Sequence, residues 1–187
     1  KARREGRTIV FVDESGLSTR PHRVRTWAPR GCTPVLQETF NWDKLSLIAG
    51  LSVHRFYFRI YEGSINGERA AEFLEALLRH VTGNLLVIWD GAAIHRSQPV
   101  KALLAASAGR LWLERLPAYA PELNPVEYLW AHLKQHEIAN LLARDGWELG
   151  LHATRALRKM RRRPRIRVWA SARNLPSAIS PTPTGTD

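Results

Sequence analysis

Two aspartates stand where an apolar run gives way to polar residues. Thr8-Ile-Val-Phe-Val12 is continuous, apolar and β-branched before Asp13, and Leu85-Leu-Val-Ile-Trp89 repeats the design before Asp90. Such a run reads as a strand buried on both faces that stops at a sheet edge. If the two strands are parallel neighbours, both carboxylates project from one edge, where α/β folds place their ligands. A pair of this kind repels itself unless a cation lies between, because like charges a few ångström apart push one pKa upward. Mg²⁺ prefers octahedral oxygen ligands, and two such ions about 3.5–4 Å apart activate an attacking oxygen and stabilise the leaving one in phosphodiester displacement. Taken singly, each aspartate also reads as a cap or turn former after a strand. The occurrence of two favours the metal reading.

Glu127 is the third carboxylate. In Asn124-Pro-Val-Glu127 the asparagine suits a helix cap, the proline suits the first helical position, and the glutamate completes a capping box. Capping alone explains it. A first-turn glutamate also lies at the positive end of a helix, which favours its ionised form and makes it a good ligand.

Other side chains stand near these three. His95 follows Asp90 by five residues and has two readings, contact with a phosphate or metal-bound water, or closure of a strand-to-helix turn. Asn124 reads first as a cap and second as a site residue. Strand alternation sends Glu14 to the side opposite Asp13. His132 and His136 are four apart, but no glutamate follows the first histidine, so a zinc hydrolase site is rejected.

The elements that must position these groups follow from periodicity. Leu45 to Val53 and Phe56 to Tyr61 alternate as an antiparallel hairpin. A shorter extended pair, Arg25 to Trp27 with Thr33 to Leu36, is expected on the other side of the sheet. From a cap at Asn66, the residues Ala70, Phe73, Leu74, Leu77, Leu78 and Val81 form one helical stripe. Pro99 to Ala108 is a second helix, Leu111 to Leu113 a strand, and Val126, Leu129, Trp130 and Leu133 the buried stripe of a third helix. The order predicts an α/β fold.

Composition sets the limits. The 187 residues include one cysteine, Cys32, which excludes an internal disulfide and fits a reducing cytoplasm. No apolar run approaches the ~20 residues that cross a bilayer. A net charge of +11 attracts polyanions, with nucleic acid the leading partner. Residues 1–160 are expected to form one domain, and 161–187 a basic, then Ser/Thr/Pro-rich, disordered tail.

Three motifs resemble those of bacterial insertion-sequence transposases related to mariner, which carry a DDE endonuclease domain. They are Phe11-Val-Asp-Glu-Ser-Gly16, then Val87-Ile-Trp-Asp-Gly91 with Ile94-His-Arg-Ser97, and Leu116-Pro-Ala-Tyr-Ala-Pro-Glu-Leu-Asn-Pro-Val-Glu127. The third is the most specific, and Trp27 to Gly31 resembles the family's tryptophan-to-glycine loop. The resemblance spans roughly residues 7 to 160, with 36 residues between Asp90 and Glu127.

That resemblance implies a ribonuclease H-like mixed sheet with flanking helices. It implies Asp13, Asp90 and Glu127 as the catalytic, metal-binding triad for Mg²⁺ or Mn²⁺, with two ions in the DNA-bound state. The reaction implied is hydrolytic cleavage at transposon ends, then attack of the freed 3′-hydroxyl on target DNA. The partners implied are double-stranded DNA and a second copy of the chain on it. Arg20, Arg23, Arg25, Lys44, Arg96 and Lys134 lie in or near the motif loops and suit phosphate contacts, which need charge rather than base reading. Arg161, Arg162 and Arg163 suit the same role.

Three departures qualify the match. Asp90 is followed by Gly91 where the family often has asparagine. The family's helix-turn-helix region does not precede Lys1 here, so end recognition is expected from a missing or separate segment. The residues after about Arg165 differ from the usual ending, as in a truncated or frame-shifted copy. Two rival readings stand beside the transposase: a repair or junction nuclease of the same fold, and an inactive remnant that only binds DNA.

Overall fold

The structure, a computed structural model, describes residues 5–36, 42–117 and 121–163. Five strands form one mixed sheet in the order β3-β2-β1-β4-β5. They are β1 (Thr8–Ser18), β2 (Lys44–Leu51), β3 (Phe56–Glu62), β4 (Leu85–Trp89) and β5 (Leu111–Arg115). β1 runs antiparallel to β2 and parallel to β4; β2 and β3 are antiparallel, and β4 and β5 parallel. With its flanking helices this is the ribonuclease H-like fold.

Side-chain alternation divides the core in two. Val10, Val12, Ile48, Val87 and Trp89 face helices α1 (Gly67–His80) and α2 (Gln98–Ala106). Leu17, Leu47, Ala49 and Leu51 face α3 (Val126–His132) and α4 (Gly146–Arg162). The α1 stripe is buried as its spacing predicts, and Asn66 caps the helix by accepting from the Arg69 N–H at 3.0 Å. A Cβ at Gly50 would stand 3.0 Å from Val10 Cγ1, so the small residue lets Phe73 and Leu77 approach the sheet. Among the described residues no helix is long and apolar enough to cross a membrane.

Three expectations need correction. β1 does not stop at Asp13 but continues to Ser18, because β2 pairs with it from Phe11 through Ser18 after β4 has ended. Pairing holds polar residues extended where propensity alone ends the strand. The expected extended pair at 25–27 and 33–36 forms no strand; the sheet's edges are β3 and β5. The Asn140 side chain instead takes up Val24, accepting from its N–H at 2.8 Å and donating to its C=O at 3.0 Å. Finally, α4 was not foreseen as a helix. Asp145 caps it, accepting from the Glu148 N–H at 2.7 Å, while Glu148 accepts from the Arg144 N–H at 2.8 Å.

The boundary expected at residue 160 falls within the last turn of α4, so Arg161 and Arg162 are helical. Residues 164–187, the rest of the expected tail, lie outside the described residues.

Candidate active site

Asp13 sits midway along β1 on the face covered by α3. Register brings Phe11 beside Ile88, so two residues further on Asp13 lies level with Asp90, just past the end of β4. Both aspartates occupy alternate positions on the α3 side, as the parallel arrangement requires.

Asp13 is 8% exposed, and Trp130 Nε1–H donates to its Oδ2 at 2.8 Å. Its carboxyl is pushed up to about 7, first by burial and next by the negative charge of Glu127. The Trp130 hydrogen bond opposes this, whereas Glu14 and Asp90 add to it. Three carboxylates therefore act on Asp13, the most deeply buried of the four.

Asp90 is half exposed, and its Oδ1 accepts from the Ala92 N–H at 2.9 Å. Glu127 lies exposed in the first turn of α3. The capping box expected there is not formed: Pro125 holds the cap position without a side-chain bond. Asn124 is buried, accepting from the Val126 N–H at 3.2 Å and donating through Nδ2 to the Val12 carbonyl at 3.1 Å. It thus bolts the start of α3 to the strand residue before Asp13. The Glu127 N–H is satisfied by the Asn124 carbonyl at 3.1 Å, and its carboxylate makes no hydrogen bond among the described residues.

Among the described residues no three His, Cys, Asp or Glu side chains are gathered tightly enough to enclose a metal ion. The donor set is nonetheless suited to one. It is all carboxylate oxygen, the chemistry of a hard divalent cation, and the carboxyl of Asp13 is raised first by burial and then by the neighbouring negative charge that a cation would offset.

His95 is buried in the turn after β4, stacked on Trp89 with ring centroids 3.6 Å apart. Its Nδ1 lies 3.0 Å from the Asp90 carbonyl and 3.0 Å from Asp90 Oδ1, and its Nε2 3.2 Å from Glu14 Oε1. The ring both closes the turn and touches a predicted ligand.

The predicted DNA contacts are dispersed. Lys134 lies on the Asp13 face, its Nζ donating to Ser15 Oγ at 2.8 Å. With Arg20 and His22 it lines a cavity of about 200 Å³. Arg23 and Arg25 are exposed in the segment before β2, Lys44 at the start of β2, and Arg96 in the turn beside Asp90. Arg161 lies over Phe58, and Arg163 pairs with Glu137 at 3.1 Å, so this cluster stands with β3 and α4.

Two site features, Trp130 and Arg115, were not singled out from sequence, and Glu14 was weighed only as a minor candidate. Trp130 read only as part of an apolar stripe, although its place three residues after Glu127 puts both on one helix face. Glu14 was sent away by alternation. Arg115, at the end of β5, lays its guanidinium over Gly91, where a Cβ would stand 2.5 Å from Nη2. Arg115 from the next strand thus takes the space that a side chain at position 91 would need.

A family model described as DDE superfamily endonuclease matches residues 8–149. No curated protein matches the chain by sequence. Its fold is similar to that of the Mos1 strand transfer complex, with a TM-score of 0.59 and 18% identity over 90% of this chain and 55% of that one. The Mos1 mariner paired end complex with Mn gives a TM-score of 0.59 and 18% identity over 91% and 57% of the two chains. The catalytic domain of Mos1 mariner transposase gives a TM-score of 0.56 and 15% identity, over 92% of this chain and 86% of that one. The chain spans little more than half the length of the transposase in the complexes.

Proposed function

The chain belongs to the DDE superfamily of endonucleases, and we propose that it is the catalytic domain of a DNA transposase. On this reading Asp13, Asp90 and Glu127 bind Mg²⁺ or Mn²⁺, and the substrate is double-stranded DNA at a transposon end. The observation that carries the proposal is Asp13, a buried carboxylate raised to about 7 and under the field of Glu127 and Asp90. A cation placed between these carboxylates would offset the repulsion and favour the ionised form of Asp13.

Each residue then has a defined task. Asp13 provides the fixed ligand, since Trp130 ties Oδ2 and leaves Oδ1 open. Asp90 and Glu127 are more exposed and bring ligands from a strand end and a helix start. Asn124 fastens the start of α3, and with it Glu127, to β1 beside Asp13. A pair of divalent cations, when bound, supplies activation of the attacking oxygen and stabilisation of the leaving one. Arg96 and Lys134, beside Asp90 and on the Asp13 face, hold phosphates by charge. Arg20, Arg23, Arg25, Lys44 and Arg161 to Arg163 extend that contact, and the DNA-bound form is a pair of chains. End recognition by a helix-turn-helix segment belongs to the same reading.

The test is nicking of a transposon-end duplex in Mg²⁺ or Mn²⁺. Asp90→Asn is expected to lower the rate by about 10²–10³-fold while leaving the fold intact by circular dichroism. Equal cleavage by both proteins removes the triad from the mechanism. A pre-cleaved end with a free 3′-hydroxyl then separates transposase from repair nuclease, because only the transposase joins it to target DNA.

A further inference from the structure

Glu14 points to the face of the sheet opposite Asp13, among the residues that meet α1 and α2, yet its carboxylate leads back to the acidic centre. Oε1 lies 3.2 Å from His95 Nε2, and Oε2 accepts from Trp89 Nε1–H at 3.4 Å. The other ring nitrogen of His95 lies 3.0 Å from both the carbonyl and Oδ1 of Asp90. We propose that Glu14 is a positioning residue of this centre: through His95 it fixes the direction in which Asp90 offers its free oxygen to a divalent cation. This rests on the triad reading above.

Asp90 needs such support. It stands beyond the end of β4 with about half its side chain exposed, and among the described residues its carboxylate is held, apart from His95, only by the Ala92 N–H. Both contacts fall on Oδ1, so Oδ2 has no protein hydrogen bond among the described residues. Asp13 is arranged the same way, with Oδ2 on Trp130 and Oδ1 left over. Each aspartate therefore has one oxygen tied by the protein and one available, the state expected of a ligand whose outer partners orient it.

The histidine ring is itself immobilised. Its side chain is 6% exposed, and the Trp89 stack fixes the plane of the ring. Rotation within that plane is left to the groups at its nitrogens, and Glu14 is the partner at Nε2. Trp89 closes the assembly by holding the second Glu14 oxygen, so β1, β4 and the turn after β4 are linked through one carboxylate. A buried network serving only to stabilise the fold has no need to end on the one carboxylate oxygen that leaves its twin free.

The experiment is Mn²⁺ binding to the full chain by titration calorimetry, alongside kcat and KM for nicking of a transposon-end duplex and thermal melting without metal. Glu14→Ala is expected to weaken Mn²⁺ about tenfold and to lower kcat with KM for DNA unchanged, the effect typical of losing an outer partner of a metal ligand. Glu14→Gln, which keeps an oxygen acceptor for His95, is expected to retain Mn²⁺ affinity within about threefold. His95→Asn, whose amide reaches Asp90 but not Glu14, is expected to match Glu14→Ala and stands in for it if that variant does not fold. A wild type that binds Mn²⁺ no better than Glu14→Ala or His95→Asn overturns the positioning role alone, whatever their melting temperatures. A wild type that takes up no Mn²⁺ overturns the triad reading and the positioning role with it.

Discussion

On the side of the sheet covered by α1 and α2, the strands meet the helices through apolar side chains: Val10, Val12, Val87 and Trp89 against Phe73, Leu74, Leu77 and Val100. On the side covered by α3 and α4 an apolar core of similar kind, Leu47, Leu51, Leu129, Leu157 and Met160, is interrupted by directed polar bonds. Trp130 to Asp13, Asn124 to Val12 and Lys134 to Ser15 all cross from the α3 segment to β1. Apolar contact is non-directional and sets distance, whereas a hydrogen bond sets orientation. Helices α1 and α2 thus pack on the sheet by apolar contact, with the Glu14–His95 link a directed element on that face, whereas the α3 segment is tied to β1 by several directed bonds. The segment following α3, Leu133–Glu137, is wound as a π-helix, and that extra residue per turn accompanies the placement of Lys134 beneath β1.

If this division of labour is right, substitutions on the two sides must fail in different ways. The largest loss of stability is expected from Leu74→Ala, which empties a fully buried position of α1 and costs about 2–5 kcal/mol. Chemical denaturation checks this, and the nicking rate per folded molecule is expected to stay at the wild-type level. A proportional loss of rate would mean that the packing of α1 itself, and not only the Glu14–His95 link on that face, aims the site.

Trp130→Phe is next, at about 1.5–3 kcal/mol for a hydrogen bond to a charged group, felt where Asp13 is ionised. The sign follows from the pKa values. Asp13 titrates from 3.8 in the unfolded chain to about 7 in the folded one, so the folded protein binds its proton more tightly. Stability from this group is full below pH about 4, falls as pH rises to about 7, and is constant above. Because Trp130 lowers the Asp13 pKa, removing it extends the fall beyond pH 7 and moves the midpoint of metal-dependent nicking to higher pH. Melting of the metal-free protein and nicking rate, each against pH, read the two effects. A Trp130→Phe profile that superposes on the wild type would break the contrast between the faces.

Asn66→Ala is expected to be the mildest, about 1 kcal/mol from loss of the α1 cap, with cleavage and metal affinity unchanged. The cap lies on α1, outside the Glu14–His95 link, so a change in Mn²⁺ affinity would break the distinction.

The two sides were also unequally legible. α1 and its cap, the β2–β3 hairpin, β4 and the α3 stripe could be read because their apolar residues repeat at the period of their own element. The C-terminal part of β1 could not, since Asp13-Glu-Ser-Gly16 carries no strand signal and is extended only because β2 lies beside it. α4 escaped notice under its cations, although Asp145-Gly-Trp-Glu148 has the spacing of a capping box. At the site, the types and order of the acidic residues were visible in three motifs, all within the residues 8–149 that the family model matches. The second bond of Asn124 was not: while its Oδ1 caps the Val126 N–H, its Nδ2 reaches the Val12 carbonyl in β1.

What the amino-acid order alone determined is which side chains are acidic, which runs are apolar, and that two aspartates follow runs able to lie in parallel. These depend on residue type and on periods of a few residues. What only the tertiary structure decided is that Trp130 and Asn124 fasten onto β1 across more than a hundred residues, and that Glu14 returns to Asp90 through His95. Hydrogen bonds act over about 3 Å in space and carry no trace in sequence separation, so which groups are brought within that reach is settled by packing.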